Sequence, residues 1–386
     1  MTYLKTIRLA CILVALLAVL ATRTARAATI PTSTIQCGQW NVVPGPPILN
    51  GVSRLNAVSA VSASDVWAVG DSANFTQTLI EHWNGSQWSV VPSLNPTFYN
   101  ALYGIAALSA QNAWAVGFSS STSGVQQTLI EHWNGSQWSV IPSPNPKNSR
   151  NNALLSVSAI SATDIWAVGF YGVSAGSPQY TLTEHWNGTS WSIVPSPTID
   201  KVGGASTELY GVTALSSTDV WAVGYDNVGN FHAVIEHWDG SRWRINSHPN
   251  LSAQLFAVTA VTTSDAWAVG DAVGAQPLTD HWNGNRWSFV PSPGPQGVDY
   301  LVGVAASGAG NIWSVGWDDL GRGIRHKTVT EHWDGKSWQL VASVNPGFDN
   351  LLLGVAMASP NQVWAVGSYK IDHQPGLYDP LIEYYC

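Results

Sequence analysis

Three regularities predict an all-β chain folded as a seven-bladed β-propeller of four-stranded antiparallel blades. The tetrapeptide Trp-Ala-Val-Gly begins at Trp67, Trp114, Trp166, Trp221, Trp267 and Trp364, with Trp-Ser-Val-Gly at Trp313, at intervals of 46 to 55 residues. A Glu-His-Trp-Asn-Gly motif or a close variant follows each one, from Glu81, Glu131, Glu184, Glu236, Asp280 and Glu331, and degenerates to Glu383-Tyr384-Tyr385. A further Trp recurs at Trp88, Trp138, Trp191, Trp243, Trp287 and Trp338, inside segments such as Gln87-Trp88-Ser89-Val90-Val91-Pro92. Self-similarity at such a period marks a stacked or radial repeat. Composition agrees. Of 386 residues only 10% are charged, 45% are hydrophobic and 21 are Trp, which excludes disorder and a coiled coil.

Within a repeat, four short strands can be read in order. The first is the small-residue stretch typified by Leu102 to Leu108, and a Ser- and Asp-containing turn (Ser62 to Asp65, Ser161 to Asp164) leads out of it. The second is Val66 to Val69 and the third Thr78 to Trp83. An Asn-Gly or Asp-Gly pair predicts a tight hairpin into the fourth, Gln87 to Val91. Pro92 and its equivalents close the unit, because proline cannot continue a central ladder. The third position of the first strand is always small (Ala57, Gly104, Ser156, Gly211, Ala257, Gly303, Gly354), as expected where seven strands converge on a central channel.

The seventh copy lacks its fourth strand, and the N-terminus supplies a match. Cys37-Gly38-Gln39-Trp40-Asn41-Val42-Val43-Pro44 aligns with Gly85 to Pro92, so the first segment is expected to complete the last unit and close the ring. That alignment puts Cys37 and Cys386 at neighbouring turn positions, within disulfide reach.

The first 27 residues read as a secretory leader: Lys5 and Arg8, an apolar run from Leu9 to Ala21, then Ala25-Arg26-Ala27. The apolar run is shorter than the roughly 20 residues that span a bilayer. The expectation is therefore a leader cut after Ala27 and one domain over residues 28–386, secreted, monomeric and without membrane insertion. The net charge of −8 becomes −12 once the four basic residues of the leader are removed. That balance argues against a nucleic-acid partner. Exported chains with an even pair of cysteines favour a Cys37–Cys386 bridge. Sequons stand at Asn74, Asn84, Asn134, Asn187 and Asn250.

The repeat resembles the kelch family, of the type found in the central domain of galactose oxidase, over residues 37–386. The likeness lies in a strand ending in Gly, an aromatic near the end of the third strand, and a Trp about six residues later. It departs from kelch in lacking the diglycine, since Gly70 precedes Asp71, Gly117 precedes Phe118 and Gly169 precedes Phe170. It is also similar to Asp-box propellers in its Gly-x-x-Trp, although Trp83 and Trp333 stand where those carry aspartate. Kelch-like propellers include a copper oxidase built on a cysteine cross-linked to tyrosine. Here both cysteines of the exported chain have another assignment, so neither copper nor any other cofactor is expected.

Residues that recur in every unit are read as structure. Twenty of the 21 tryptophans recur, and each, once buried, removes about 150–250 Å² from water. The Glu-His pairs, with His82, His132, His185, His237, His281 and His332, recur round the ring and so cannot converge on one site. Each of these side chains is expected to bond across a unit boundary. Metal ligation is not expected, because His232, His248, His326 and His373 belong to different units and no His-x-His or Cys-x-x-Cys spacing occurs.

Residues that break the repeat are the candidates for function. The one–two and three–four turns share one face and are uniform, while the two–three loops and four–one links share the other and vary, from nine residues after Gly270 to 15 after Gly367. Ligand-binding candidates on that face are Asp71, Phe118, Phe170, Tyr225, Asp271 and Trp317 after the second strand. Arg54, Glu208, Gln254 and Tyr300 lead into the first. Trp317 is the one tryptophan off the repeat, and Asp318, Asp319, Arg322, Arg325, His326 and Lys327 follow it. Aromatic rings beside Asp, Arg and Gln suit a glycan or peptide ligand. The leading expectation is a non-catalytic module binding a glycan, peptide or cell-surface partner. The alternatives are a carbohydrate-active enzyme using Asp71 with Asp271, or Glu208 with Tyr300, and a purely structural surface protein.

Overall fold

A computed structural model describes residues 35–48, 52–197, 205–227, 229–246, 252–272, 276–295, 298–319, 325–371 and 378–386. The leader, His248, Asn250, Arg322 and His373 lie outside these residues. The described chain is all β: 28 strands in seven successive groups of four, with no helix. In the first unit the strands are Arg54–Ser62, Asp65–Ser72, Gln77–Trp83 and Trp88–Val90, each antiparallel to the next. The other units repeat this order. A single parallel bridge between Asn151 and Gln126 joins units two and three into one eight-stranded sheet.

The strands run longer than their sequence signal. The first strand of unit two spans Tyr99–Ser109, and the second strand of unit one reaches Ser72, because pairing continues through polar residues such as Asn100 and Asp71. The fourth strands are shorter, only three residues each. The tight Asn-Gly hairpin is corrected to a four-residue loop: Trp83 pairs with Trp88 around Asn84-Gly85-Ser86-Gln87. Asn84 Oδ1 accepts from the backbone N–H of Ser86 and of Gln87, both at 3.0 Å, and Gly85 takes φ +93°. The asparagine side chain accepts the Gln87 N–H in place of the Asn84 carbonyl, while the Asn84 N–H still donates to Gln87 O at 3.3 Å.

The seventh unit is completed by the N-terminal segment. Trp40–Val42 pairs with Asp379–Tyr385 in the register Trp40↔Tyr385, which matches Trp88↔Trp83 in unit one. Gly38 N–H donates to Cys386 O at 2.6 Å, and the Cys37–Cys386 disulfide joins Cα atoms 4.6 Å apart.

First strands lie innermost and touch their neighbours at the small third position. A Cβ on Gly104 would sit 3.0 Å from Ser156 Cα, one on Gly211 2.9 Å from Ala257 Cα, and one on Gly354 3.0 Å from Ala57 Cα, so unit seven abuts unit one. Larger side chains there would push the strands apart.

Each interface between consecutive units holds its own apolar core, the seventh-to-first interface included. Its centre is a Trp cluster. Trp67 packs 5.1 Å from Trp133 and 5.4 Å from Trp138 of the following unit, and Trp364 packs 5.2 Å from Trp83 and 5.3 Å from Trp88. Between units six and seven, Tyr385 takes the place of the third-strand Trp, 4.6 Å from Trp313, with Trp40 completing the cluster. Every recurring tryptophan thus has a packing role.

The Glu-His expectation divides. The carboxyls cross the boundary: Ser143 donates to Glu184 (2.9 Å), Ser196 to Glu236 (2.8 Å) and Ser292 to Glu331 (2.7 Å), each from the link that ends the preceding unit. The histidines do not. His82 Nε2 bonds to Asp65 Oδ1 (2.8 Å) and lies 4.1 Å from Trp67, all in one unit, and the same holds for His185 on Asp164 and His237 on Asp219. Adjacent strand residues face opposite sides of the sheet, so one reaches the neighbour and the other does not.

Candidate functional site

The two sets of repeat-breaking residues prove to be cross-strand partners. Arg54 pairs with Asp71, Glu208 with Tyr225, Gln254 with Asp271, and Tyr300 with Trp317; the equivalent pairs in the other units are Ala101–Phe118, Ala153–Phe170 and Leu351–Ser368. Directly opposed residues share a face, so each pair forms one small platform at the same end of its sheet.

Two local features build the platforms. A β-bulge interrupts the register one residue later in every unit, between Leu55 and Ala57 in the first. The bulged residue is Asn56, Tyr103, Leu155, Tyr210, Phe256, Val302 or Leu353, and bulges re-aim side chains in this way. The Gly that ends each Trp-Ala-Val-Gly makes the close approach possible: a Cβ on Gly70 would collide with Arg54 O, and one on Gly270 with Gln254 O. Sequence reading found the platforms but not the bulged residues, because a bulge leaves no period-two signature.

The platforms differ in chemistry. In unit one, Arg54 Nε donates to Asp71 Oδ1 at 2.9 Å while its guanidinium lies 4.2 Å from the centre of the Phe75 ring. Asn56 Nδ2 donates to Leu102 O of the next unit at 2.8 Å. Units two and three are apolar: Phe118, Ala101 and Ala153 form a cluster with Tyr103, Leu155 and Phe170, and the Tyr103 and Phe118 rings stack at 5.9 Å. In unit four Tyr210 donates to Glu208 Oε2 at 2.8 Å and stacks on Tyr225 at 5.3 Å, with Phe256 of unit five edge-on at 5.6 Å. In unit six Tyr300 stacks on Trp317 at 5.3 Å with 26° between the rings.

Burial perturbs the acids here. Asp271 is pushed up to about 7 by desolvation. Asp299 is also pushed up to about 7, by desolvation and by the neighbouring Asp318, which burial raises as well. Burial and the nearby Asp271 raise the Tyr300 phenol. Asp71 and Asp271 belong to units one and five, which are not neighbours, so the suggested Asp71–Asp271 pair is not brought together by adjacency; Asp71 is instead held by Arg54. Glu208 bonds to Tyr210, while Tyr300 sits two units on against Trp317. His326, in the charged stretch after Trp317, is buried with Nδ1 at 2.6 Å from Asp349 Oδ1, and Tyr378 donates to the other oxygen at 2.7 Å; this links unit six to unit seven. Among the described residues, no group of three or more His, Cys, Asp or Glu is placed to hold a metal ion.

Buried polar atoms without a hydrogen-bond partner fall into two sets among the described residues. One set recurs with the repeat: indole Nε1 atoms and third-strand carboxyls such as those of Glu81 and Glu131. The other breaks it, with Ser53 Oγ, Asp71 Oδ2, Asn152 Oδ1, Gln254 Nε2, Asp271 Oδ1, Asp299 Oδ1 and Asp318 Oδ1. All of the second set stand where first strands begin and second strands end. An unpaired buried polar atom costs about 1–3 kcal/mol, so such a concentration at one end calls for a partner.

No family model matches the sequence, and no curated protein matches it. Among solved structures, the chain is similar to YCF48 bound to a D1 peptide (14% identity, 91% of this chain and 98% of that chain, TM-score 0.57). It is similar to YCF48 from Cyanidioschyzon merolae (15%, 90% and 98%, TM-score 0.54) and to a PL25 polysaccharide lyase, an ulvan lyase bound to -[GlcA(1-4)Rha3S]- (11%, 86% and 94%, TM-score 0.53). These neighbours are β-propellers, and at such identities the likeness supports the propeller fold alone.

Proposed function

We propose that this chain is a secreted, non-catalytic recognition module: a kelch-like propeller of seven blades over residues 28–386, its ring closed by the N-terminal strand, freed from a leader at residues 1–27. Its ligand is a glycan, a peptide or a cell-surface partner, held at the channel mouth by the platforms of Arg54, Asp71, Phe118, Phe170, Glu208, Tyr225, Gln254, Asp271, Tyr300 and Trp317. The observation that carries this reading is the concentration of repeat-breaking, unpartnered buried polar atoms at that one end. The unpartnered atoms that recur in unit after unit go with the packing of the repeat, whereas these break the repeat and are available to something that arrives from outside. YCF48 with its peptide and the lyase with its saccharide are compatible with either ligand class. The disulfide suits an oxidising compartment.

A second reading, a carbohydrate-active enzyme, draws on Asp299 and Asp318, cross-strand partners of which Asp318 adds to the burial that raises the proton affinity of Asp299. Thermal unfolding against glycan and peptide libraries separates the two. A bound ligand at 100 times its Kd adds about 2.7 kcal/mol and raises Tm. The recognition reading expects that rise without turnover, and its loss in Trp317→Ala. Turnover abolished by Asp318→Asn would replace it with the enzyme.

A further inference from the structure

Gln254 and Asp271 are cross-strand partners on the fifth platform, and each carries one polar atom that the fold does not use. Gln254 is only 2% exposed, yet its Nε2 donates to nothing, and Asp271 Oδ1 accepts nothing. They stand side by side without bonding to each other. In the equivalent places of units two and three, Phe118 packs against Ala153 of the following unit. In the equivalent place Asp271 stands near enough to Tyr300 of unit six for its charge to raise the phenol, and the Tyr300 ring stacks on Trp317. The boundary between the fifth and sixth platforms therefore holds one unused donor, one unused acceptor and a two-ring aromatic surface.

We propose, building on the recognition reading above, that a neutral sugar ring binds at this boundary, with side-chain rotation bringing the two buried atoms to it. Adjacent hydroxyls of a pyranose supply what the two unused atoms need: one donates to Asp271 Oδ1 and the other accepts from Gln254 Nε2. Its C–H face covers the aromatic surface of Tyr300 and Trp317. A lysine ammonium would satisfy Asp271 and leave the Gln254 donor unpaired; a uronate or phosphate would do the reverse and face the Asp271 carboxyl. Only a group that donates and accepts while carrying no charge satisfies both atoms. A site built to hydrogen-bond hydroxyls also rejects ligands that lack them, because its own polar groups are then left unpaired.

The test is titration calorimetry and saturation-transfer NMR on the exported chain with its disulfide intact. The probes are cellotetraose, mannotetraose, xylotetraose and chitotetraose, with tetralysine and a peptide library as contrasting arms. At least one neutral tetrasaccharide is expected to bind. Asp271→Asn and Gln254→Leu should each weaken it roughly ten-fold or more, as loss of a hydrogen bond to a charged or buried partner does. Tyr300→Ala should abolish the binding, and saturation transfer should be strongest on the C–H protons of one sugar ring. Because Asp271 Oδ1 is buried without a partner, Asp271→Asn should raise the Tm of the free protein while it weakens binding, which a structural role would not do. Should Gln254→Leu fail to fold, Gln254→Glu keeps the shape and turns the donor into an acceptor, with the same loss expected. Sugar binding that survives these variants but falls with Arg54→Ala or Phe118→Ala overturns this site and leaves the recognition reading standing. Binding of peptide alone does the same. Absence of any ligand in every arm overturns both.

Discussion

Trp67 and Trp317 are the same residue type doing different work. Trp67 is 1% exposed and wedged between Trp133, Trp138 and its own unit's His82, whereas Trp317 is half-buried at the end of the second strand against Tyr300. Removing a fully packed aromatic from a core costs about 3–5 kcal/mol. Trp67→Ala is expected to lose that much in denaturant unfolding. Trp317→Ala is expected to lose about 1 kcal/mol, close to the worth of one aromatic pair. Equal losses at the two positions would remove the distinction between recurring structure and repeat-breaking site. A second residue-scale expectation concerns Gly270, where any side chain meets the Gln254 carbonyl. Gly270→Ala should cost about 1–3 kcal/mol, as overpacking does, and should distort the fifth platform, so ligand binding falls with stability.

At the scale of strands and units, each third strand buries one carboxyl against the preceding unit. Burial pushes Glu81, Glu131, Glu184, Glu236 and Glu383 up to about 8, from an ordinary value of 4.5. A carboxyl with a raised folded-state value contributes its full stability below 4.5. Between 4.5 and 8 the unfolded chain sheds its proton and the folded one keeps it, so stability falls as pH rises. Burial also holds His132 and His332, which bond to Asn112 and Asn311, below the usual histidine range, and this opposes folding once the medium is acid enough to protonate the unfolded imidazoles. Thermal unfolding between pH 4 and pH 9 should therefore show a maximum on the acid side of neutral and a decline to pH 9. Glu81→Gln should flatten the alkaline limb, and a maximum above pH 8 would contradict the buried neutral carboxyls. The units, their order and the radial placement of the first strands were legible, because packing residues must recur. The four-residue loops, the bulges and the division of labour between Glu and His were not. They depend on register and on which side of a pleat a residue faces. Of the site, Arg54 with Asp71 and Tyr300 with Trp317 were found as separate sets; only pairing across strands joins them, and Tyr210 and Asn56 emerge with the bulge.

For the molecule as a whole, the seam where the two ends of the chain meet in unit seven, beside unit one, decides integrity. Trp40 and Tyr385 pair across it, Trp364 packs on Trp83 and Trp88, and the disulfide spans 349 residues of sequence. In the chain-entropy picture a bridge over so long a loop is worth up to about 5 kcal/mol. Reduction, or Cys37→Ser with Cys386→Ser, should lower Tm by several degrees while leaving the strand content of the far-ultraviolet spectrum unchanged at 25 °C. A reduced protein as stable as the oxidised one would place the seam's strength in Trp40 and its neighbours alone.

The seam also sets a timetable for synthesis. Trp40 leaves the ribosome well before its partner Tyr385, with the other six units made in between. A chain released early would lack that partner and Cys386 together, keeping both a bare edge strand and an unspent thiol. Pairing and oxidation at that point would thus certify that all seven units had been made.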